Sequence, residues 1–98
     1  MKLPLDDVGP GWASILKRLD VVLAAIDPNL EVFQVKEKFG GLRVYVGTSE
    51  GKYEAVENAI SLAEGLSFRT CEKCGEPGSP GGKGWVKTLC DECRGEGQ

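Results

Sequence analysis

Two cysteine doublets decide how the C-terminal third of this chain folds: TCEKCG at residues 70–75 and LCDEC at residues 89–93. Two residues separate the cysteines within each doublet, and fifteen residues lie between Cys74 and Cys90. This spacing matches the four-cysteine zinc pattern, because one tight turn aims two sulfurs at the same ion. Gly75 permits the backbone conformation that such a turn needs. We therefore predict one closed structural zinc site with four ligands: Cys71, Cys74, Cys90 and Cys93.

A zinc ion held by four protein sulfurs has no open position for water or substrate, so the predicted metal has a structural role. The sequence contains no histidine, and histidine is the commonest general base and a common ligand in open catalytic zinc sites. Its carboxylates form no recognisable acid/base pair. We therefore predict that the protein is not an enzyme. An iron–sulfur centre and a redox-active cysteine pair are weaker readings of the same cysteines.

Length and charge limit the other possibilities. We predict a single domain over residues 1–98, with a helix-hairpin-helix part at 1–66 and a zinc-binding part at 67–98. A core this small is marginally stable, so a metal cross-link would help. The net charge of -3 lacks the positive field that drives non-specific binding to phosphates, which makes nucleic acid the second choice of partner.

The N-terminal residues contain no apolar run that would predict a signal peptide or a membrane span. Paired cysteine doublets in a reducing compartment are more often metal ligands than disulfides. We therefore expect a cytoplasmic protein that is not inserted in a membrane.

Two amphipathic helices are predicted. Apolar residues with helical spacing indicate the first helix over residues 12–26, and the Asp27-Pro28 pair ends it. The second helix should begin between Ser49 and Lys52 and run to about Leu66, and Gly65 is expected to end it. The predicted buried faces are Trp12, Ile15, Leu16, Leu19, Val22, Leu23 and Ile26 in the first helix, and Tyr53, Val56, Ala59, Ile60 and Ala63 in the second.

Between the helices, residues 31–47 contain two β-branched and aromatic runs separated by Gly40 and Gly41, which predicts a two-residue hairpin turn. This turn pairs Phe39 with Leu42, and it fixes the register of the other pairs. The expected pairs are Glu37 with Val44 and Val35 with Val46. Phe39 therefore shares the predicted core face with Phe33, Val35, Leu42, Val44 and Val46. The fold class is α+β: helix, two-stranded antiparallel hairpin, helix and a C-terminal zinc-ribbon-like four-cysteine element.

The opposite face of the hairpin gathers cations around an aromatic ring, which suits contact with phosphates or with an acidic protein. An ordinary solvated sheet face is the slightly favoured interpretation of the same pattern. For Trp85, packing against the small core is favoured over contact with a ligand. The candidate binding surface is Gln34, Lys36, Lys38, Arg43, Tyr45, Trp85 and Lys87.

Several longer motifs follow one another along the chain: a Gly-Trp helix start at 11–12, VKEKFGGLRVY at 35–45, TCEKCGEPG at 70–78 and GWVKTLC at 84–90. In this combination the chain resembles a widespread family of small uncharacterised bacterial and bacteriophage proteins. The resemblance implies a prokaryotic or phage origin and a cysteine-rich, metal-binding end. In many of these relatives a histidine stands where this chain has Cys93. Small phage-borne proteins often occlude a host complex, so analogy suggests an inhibitor of host defence or a modulator of transcription.

Two functions remain as hypotheses. The first is a zinc-stabilised module that binds a protein partner, either as a monomer or as a dimer that pairs exposed strand edges. The alternative is a regulator that binds nucleic acid through the basic and aromatic face of the hairpin.

Overall fold

The computed structural model describes residues 2–96. A 3-10 turn, Pro10–Trp12, leads into the first helix. The elements are α1 (Ala13–Ile26), β1 (Glu31–Lys38), β2 (Gly41–Gly47), α2 (Tyr53–Ser67), β3 (Ser79–Gly81), β4 (Lys87–Leu89) and α3 (Asp91–Glu96). This order confirms the predicted α+β fold with a helix, an antiparallel hairpin, a second helix and a C-terminal cysteine-rich element.

Helix α1 begins and ends close to the predicted positions. Trp12 is completely buried at its start. Its end is fixed by Asp27, which is 1% exposed and whose carboxylate accepts hydrogen bonds from the backbone N–H and hydroxyl of Ser49 at 2.8 Å each. These N–H and hydroxyl donors lower the pKa of the Asp27 carboxyl, with the Ser49 N–H as the largest cause. The prediction that Val22 is buried is wrong, because its side chain is 41% exposed.

Helix α2 runs past Gly65, which was expected to end it, and continues to Ser67. The last turn continues because the Ser67 hydroxyl is buried and accepts the N–H of Leu42 at 2.9 Å. One turn earlier, the Glu64 carboxylate accepts the N–H of Val44 at 3.0 Å. Both donors lie on β2, so side chains of α2 accept hydrogen bonds from backbone N–H groups along the edge of this strand that is not paired with β1. Tyr53 lies outside the core at 66% exposure, contrary to the predicted face.

The hairpin has a different register from the predicted one. Strand β1 pairs Glu37 with Leu42 and Val35 with Val44, so the two-residue turn is formed by Phe39 and Gly40. Phe39 has φ 54° and Gly40 has φ 83°, which is the double positive-φ geometry of a tight hairpin turn. Gly41 is the first residue of β2. The Phe68 ring lies against Gly41, in the position that a Cβ atom would occupy.

The prediction that Phe33 and Phe39 face the core is also wrong. The pairing shifts between Val32 and Gln34, so Phe33 occupies a bulge and is 64% exposed. Its ring lies over Gly47 on the neighbouring strand, while Val32 packs against the core. The other predicted hairpin residues belong to this core or pack on it. The buried core is Leu3, Trp12, Ile15, Leu16, Leu19, Leu23, Leu30, Val35, Leu42, Val44, Val56, Ile60 and Ala63.

The C-terminal element consists of little regular structure. Strands β3 and β4 form a three-pair antiparallel ladder from Ser79↔Leu89 to Gly81↔Lys87, and one further bridge joins Thr70 to Pro77. Such short strands cannot bury a core of their own. The order of this element therefore depends on its cysteines and on its contacts with the rest of the chain.

Candidate metal centre

The four cysteine sulfurs converge on one point. All four Sγ atoms lie within 4.8 Å of one another, and the Sγ atoms of Cys74 and Cys90 are 3.6 Å apart. Four thiolates at the usual zinc–sulfur distance in a tetrahedron would be about 3.8 Å apart. The cluster can therefore hold a single metal ion, as the spacing of the doublets predicted.

The first doublet is positioned by a tight turn. The N–H of Cys71 donates to the carbonyl of Glu76 at 2.7 Å, and the N–H of Gly75 donates to the carbonyl of Cys71 at 2.9 Å. Gly75 has φ 85°, a conformation that costs glycine little and other residues more. The turn leaves Cys71 completely buried and Cys74 at the surface.

The second doublet joins a strand to a helix. Cys90 directly follows β4, and Cys93 lies in the first turn of α3. The N–H of Cys93 points at the Cys90 sulfur at 3.4 Å, and the N–H of Arg94 donates to the Cys90 carbonyl at 3.0 Å. The start of α3 therefore places the two cysteines of this doublet side by side.

The thiols of the cluster influence one another's protonation. Burial alone would raise the pKa of Cys71, but backbone N–H groups of Cys74, Cys90 and Lys73 outweigh it and lower the pKa to about 6. The pKa of Cys93 is raised, first by its hydrogen bond with the Cys90 sulfur and then by burial. One thiolate thus makes its neighbours harder to ionise, and a bound divalent cation would remove that penalty.

A buried carboxylate positions Thr88, and the hydroxyl of Thr88 joins the cysteine element to the hairpin turn. Glu72 is 6% exposed and accepts the N–H of Thr88 at 3.0 Å and the ammonium of Lys87 at 3.3 Å. Thr88 is completely buried, and its hydroxyl donates to the carbonyl of Gly40 at 2.6 Å. Sequence reasoning missed these roles, because a glutamate between two cysteines and a threonine in a short strand both look like surface residues.

A second junction joins the cysteine element to the start of α1. The N–H of Gly11 donates to the carbonyl of Glu72 at 2.8 Å, and the indole N–H of Trp12 donates to the carbonyl of Thr70 at 2.9 Å. A Cβ atom at Gly11 would overlap the backbone of the first doublet. Glycine at position 11 therefore allows the start of α1 to lie against the backbone of the first cysteine doublet, and Trp12 adds a hydrogen bond at the same place.

The predicted binding surface is only partly brought together. The register pairs Gln34 with Tyr45 and Lys36 with Arg43, so these residues share one face of the hairpin with Lys38, as predicted. The Lys36 ammonium lies 5.5 Å from the centre of the Tyr45 ring. We call this face the basic strip: Gln34, Lys36, Lys38, Arg43 and Tyr45. Lys87, by contrast, lies in the cysteine element and is paired with Glu72.

Trp85 and Phe39 lie together at the free end of the molecule's two hairpins. Packing was expected for Trp85, but it is 72% exposed, and Phe39 is 70% exposed. Both line a shallow pocket of about 230 Å³ with Lys38 and Val86, and the Lys38 ammonium lies 5.8 Å from the Phe39 ring centre. We call Phe39 and Trp85 the aromatic tip. It continues the basic strip at Lys38, and sequence analysis missed its Phe39 half because the predicted register placed that side chain in the core.

Comparisons with protein-family models, with curated proteins and with solved structures found no match to this chain. None of the helices within residues 2–96 combines the length and the apolar character that crossing a membrane requires.

Proposed function

We propose that this chain is a zinc-stabilised, non-enzymatic module that binds another protein through the aromatic tip and the basic strip. The observation that supports this most directly is the junction between the cysteine cluster and the hairpin turn. Cys90, a member of the cluster, directly follows strand β4. Two residues earlier, the hydroxyl of Thr88 donates a hydrogen bond to the carbonyl of Gly40. A metal ion that fixes the cluster would therefore also fix Trp85 beside Phe39.

Zinc suits the donor set better than an iron–sulfur cluster does. A tetrahedral set of four thiolates is typical of zinc or of iron in sulfur sites. The separation of the sulfurs, within 4.8 Å, leaves room for one ion, whereas a cluster of several irons needs more widely spaced thiolates. With all four positions taken by protein, bound zinc has no site for substrate, which supports a structural role.

The exposed side chains favour a protein as the partner. Tryptophan and other aromatic residues contribute much of the binding energy in protein interfaces, and the two rings of the aromatic tip are each exposed by about 70% and line the same pocket. The turn also holds Phe39 at positive φ, a conformation that costs a bulky residue about 1 kcal/mol or more. Strain at an exposed ring is consistent with selection for binding.

The charge of the surface indicates what the partner should carry. Lys36, Lys38 and Arg43 lie together on one face of the hairpin, near its turn, although the chain as a whole is acidic. We propose a partner with an acidic patch beside an apolar pocket. By resemblance and analogy, we also propose a cytoplasmic protein of prokaryotic or phage origin that acts on a host defence or transcription complex.

The proposal is tested by affinity capture from a bacterial lysate with quantitative mass spectrometry. The baits are the zinc-loaded wild type, Trp85→Ala, Phe39→Ala and a matched control, Tyr53→Ala, which removes an equally exposed ring outside the tip. We expect one set of proteins that the wild type and the control retain and both tip variants lose at least tenfold. Equal capture by all four baits, or no reproducible capture, would contradict the proposal.

Nucleic acid binding remains the second candidate, because the basic strip flanks a ring available for stacking. Tyr45 is 44% exposed and lies next to Lys36 and Arg43, which are paired across the strands. Single strands bind such surfaces by base stacking and phosphate contacts, most tightly at low salt. A mobility-shift titration that shows no binding to single-stranded DNA or RNA at low salt would exclude this candidate.

A further inference from the structure

We propose that the protein partner presents an extended segment that crosses Trp85, with an apolar side chain on one side of this ring and a carboxylate on the other. The inference rests on the proposed function, and it adds the conformation and the chemistry of the bound segment. Its starting point is that Trp85 lines two hollows, of about 230 Å³ and about 260 Å³. Trp85 is the one residue that the linings of these two hollows share.

The first hollow, which we call the turn hollow, lies between the hairpin turn and the loop that joins β3 to β4. Three of its walls are apolar side chains: Phe39, Trp85 and Val86. Val86 lies against the turn, because its Cγ1 is 3.2 Å from the position that a Cβ atom at Gly40 would occupy. The charged groups of this hollow already have contacts. The Glu37 carboxylate accepts the N–H of Gly40 at 2.8 Å, and the Lys38 ammonium lies 5.8 Å from the centre of the Phe39 ring. The turn hollow therefore favours an apolar group.

The second hollow, which we call the cluster hollow, lies beside the cysteine cluster. Three cations line it: Lys73, Lys87 and Arg94. Glu72 is the one carboxylate in this lining, and it already accepts the N–H of Thr88 at 3.0 Å and the ammonium of Lys87 at 3.3 Å. Lys73 and Arg94 form no ion pair with any side chain that the structure describes.

Arg94 is the donor best prepared for an anion. Its Nη2 atom donates to the carbonyl of Ser79 at 2.6 Å, which holds the guanidinium in place. The same group lies against Gly81, where Nη1 is 3.1 Å from the position that a Cβ atom would take. Within the described part of the chain, no acceptor pairs with Nη1 or Nε. These donors are thus left for a carboxylate, to which a guanidinium makes strong, charge-assisted hydrogen bonds.

The metal cluster limits which anion can bind here. Four thiolates and one divalent ion sum to a charge of about -2, which offsets the cations nearby. The cluster hollow therefore does not attract anions at a distance, and recognition requires direct contact with Arg94. A single aspartate or glutamate can make this contact. The successive phosphates of a nucleic acid strand would bring further negative charge close to the thiolates.

Both hollows border the same indole ring, so one short segment can reach both. In an extended chain, neighbouring side chains point to opposite sides, and side chains two residues apart point to the same side at a separation of about 7 Å. Two residues is thus the shortest spacing that places two side chains on either side of one ring. We expect an apolar residue and an aspartate or glutamate with one residue between them.

A yeast-displayed library of random peptides, selected on the zinc-loaded full chain, tests the proposal. Peptides that the wild type retains should share an apolar residue and a carboxylate with one residue between them. Trp85→Ala should retain none of these peptides. Lys17→Gln is the matched control, because Lys17 is an exposed cation on α1 outside both hollows, and it should retain the same peptides as the wild type.

A double-mutant cycle on one retained peptide tests the role of Arg94. Replacement of the peptide carboxylate by its amide and the substitution Arg94→Gln should each raise the Kd about tenfold, as measured by fluorescence anisotropy. The two changes together should raise the Kd no more than either change alone, because both remove the same contact. A general disturbance of the cysteine element by Arg94→Gln would instead add to the effect of the amide.

The outcomes separate this inference from the proposed function. Retained peptides without the carboxylate, or effects that add in the cycle, would overturn the pairing with Arg94. If no peptide is retained, the extended segment is wrong. The proposed function would still hold in that case if capture from the lysate depends on Phe39 and Trp85, because the partner would then bind through a folded surface. A single-stranded oligonucleotide whose binding is weakened by Arg94→Gln would assign the cluster hollow to a phosphate instead.

Discussion

Replacing Thr88 with valine tests the junction between the cysteine element and the hairpin turn. The substitution keeps the β-branched shape but removes the hydroxyl that donates to the Gly40 carbonyl at 2.6 Å. Both residues are buried, so water cannot replace the lost donor. A buried acceptor left without a partner costs about 1–3 kcal/mol, and the free energy of unfolding should fall by that amount.

Thr70→Val is the matched control. The Thr70 hydroxyl also donates to a backbone carbonyl, that of Leu66 at 2.9 Å, but this hydrogen bond is exposed. Water can therefore take the place of the hydroxyl, and the change in the free energy of unfolding should stay within about 0.5 kcal/mol.

Urea unfolding of both variants and the wild type, with zinc in excess and followed by circular dichroism, measures the difference. For a domain of this size each 1 kcal/mol also corresponds to about 4–8 °C in Tm, so thermal scans should rank the proteins in the same order. If Thr88→Val is no less stable than Thr70→Val, the junction does not hold the two parts together. The account of how the metal positions Trp85 would then fail.

Three further comparisons test separate parts of the structure. Phe39→Gly should raise the free energy of unfolding by about 1 kcal/mol, because it relieves the positive-φ strain. The same variant should no longer capture the partner. A lower stability than the wild type in urea would contradict the strain at Phe39. Gly11→Ala should lower the free energy of unfolding by about 1–3 kcal/mol, because its Cβ overlaps the backbone of the first cysteine turn. Gly65→Ala, in the last turn of α2 where a Cβ meets nothing within 4 Å, should raise the free energy of unfolding by about 0.5–1 kcal/mol. Equal effects would refute the close contact. The pKa of Asp27 is lowered from 3.8, first by the N–H of Ser49, so its contribution is complete above about pH 4 and is lost as the pH falls through the lower folded value. Stability curves against pH should therefore fall more steeply below pH 4 for the wild type than for Asp27→Asn, and parallel curves would show that this carboxylate plays no such part.

The elements and the cysteine cluster could be predicted because their signals are local. Helical spacing of apolar residues marks α1 and α2, and the spacing of the doublets alone implies a common ion. The hairpin was located for the same reason. Its turn, however, was assigned to Gly40 and Gly41, since two adjacent glycines are the simplest sequence for two positive φ values.

The register was wrong because a distant residue decides it. The ring of Phe68, which follows α2, occupies the space beside Gly41, so glycine is needed there for close packing and not for the turn. Phe39 must then adopt positive φ itself. No pattern within residues 31–47 contains this information, and the same error concealed the aromatic tip.

The bulge at Phe33 and the junction through Glu72 and Thr88 could not be predicted for a related reason. Each depends on contacts between parts of the chain that are far apart in sequence, such as the 48 residues that separate Thr88 from Gly40. Residue type gives the wrong expectation in these cases, because phenylalanine suggests the core, and glutamate and threonine suggest the surface.

The central claim is that four thiolates hold one zinc ion, and X-ray absorption at the zinc edge combined with elemental analysis tests it most directly. Protein produced with zinc in the medium should contain one zinc per chain, and the spectrum should fit four sulfur neighbours at about 2.3 Å. A zinc content well below one per chain, or a first shell that requires oxygen or nitrogen in place of sulfur, would contradict the claim.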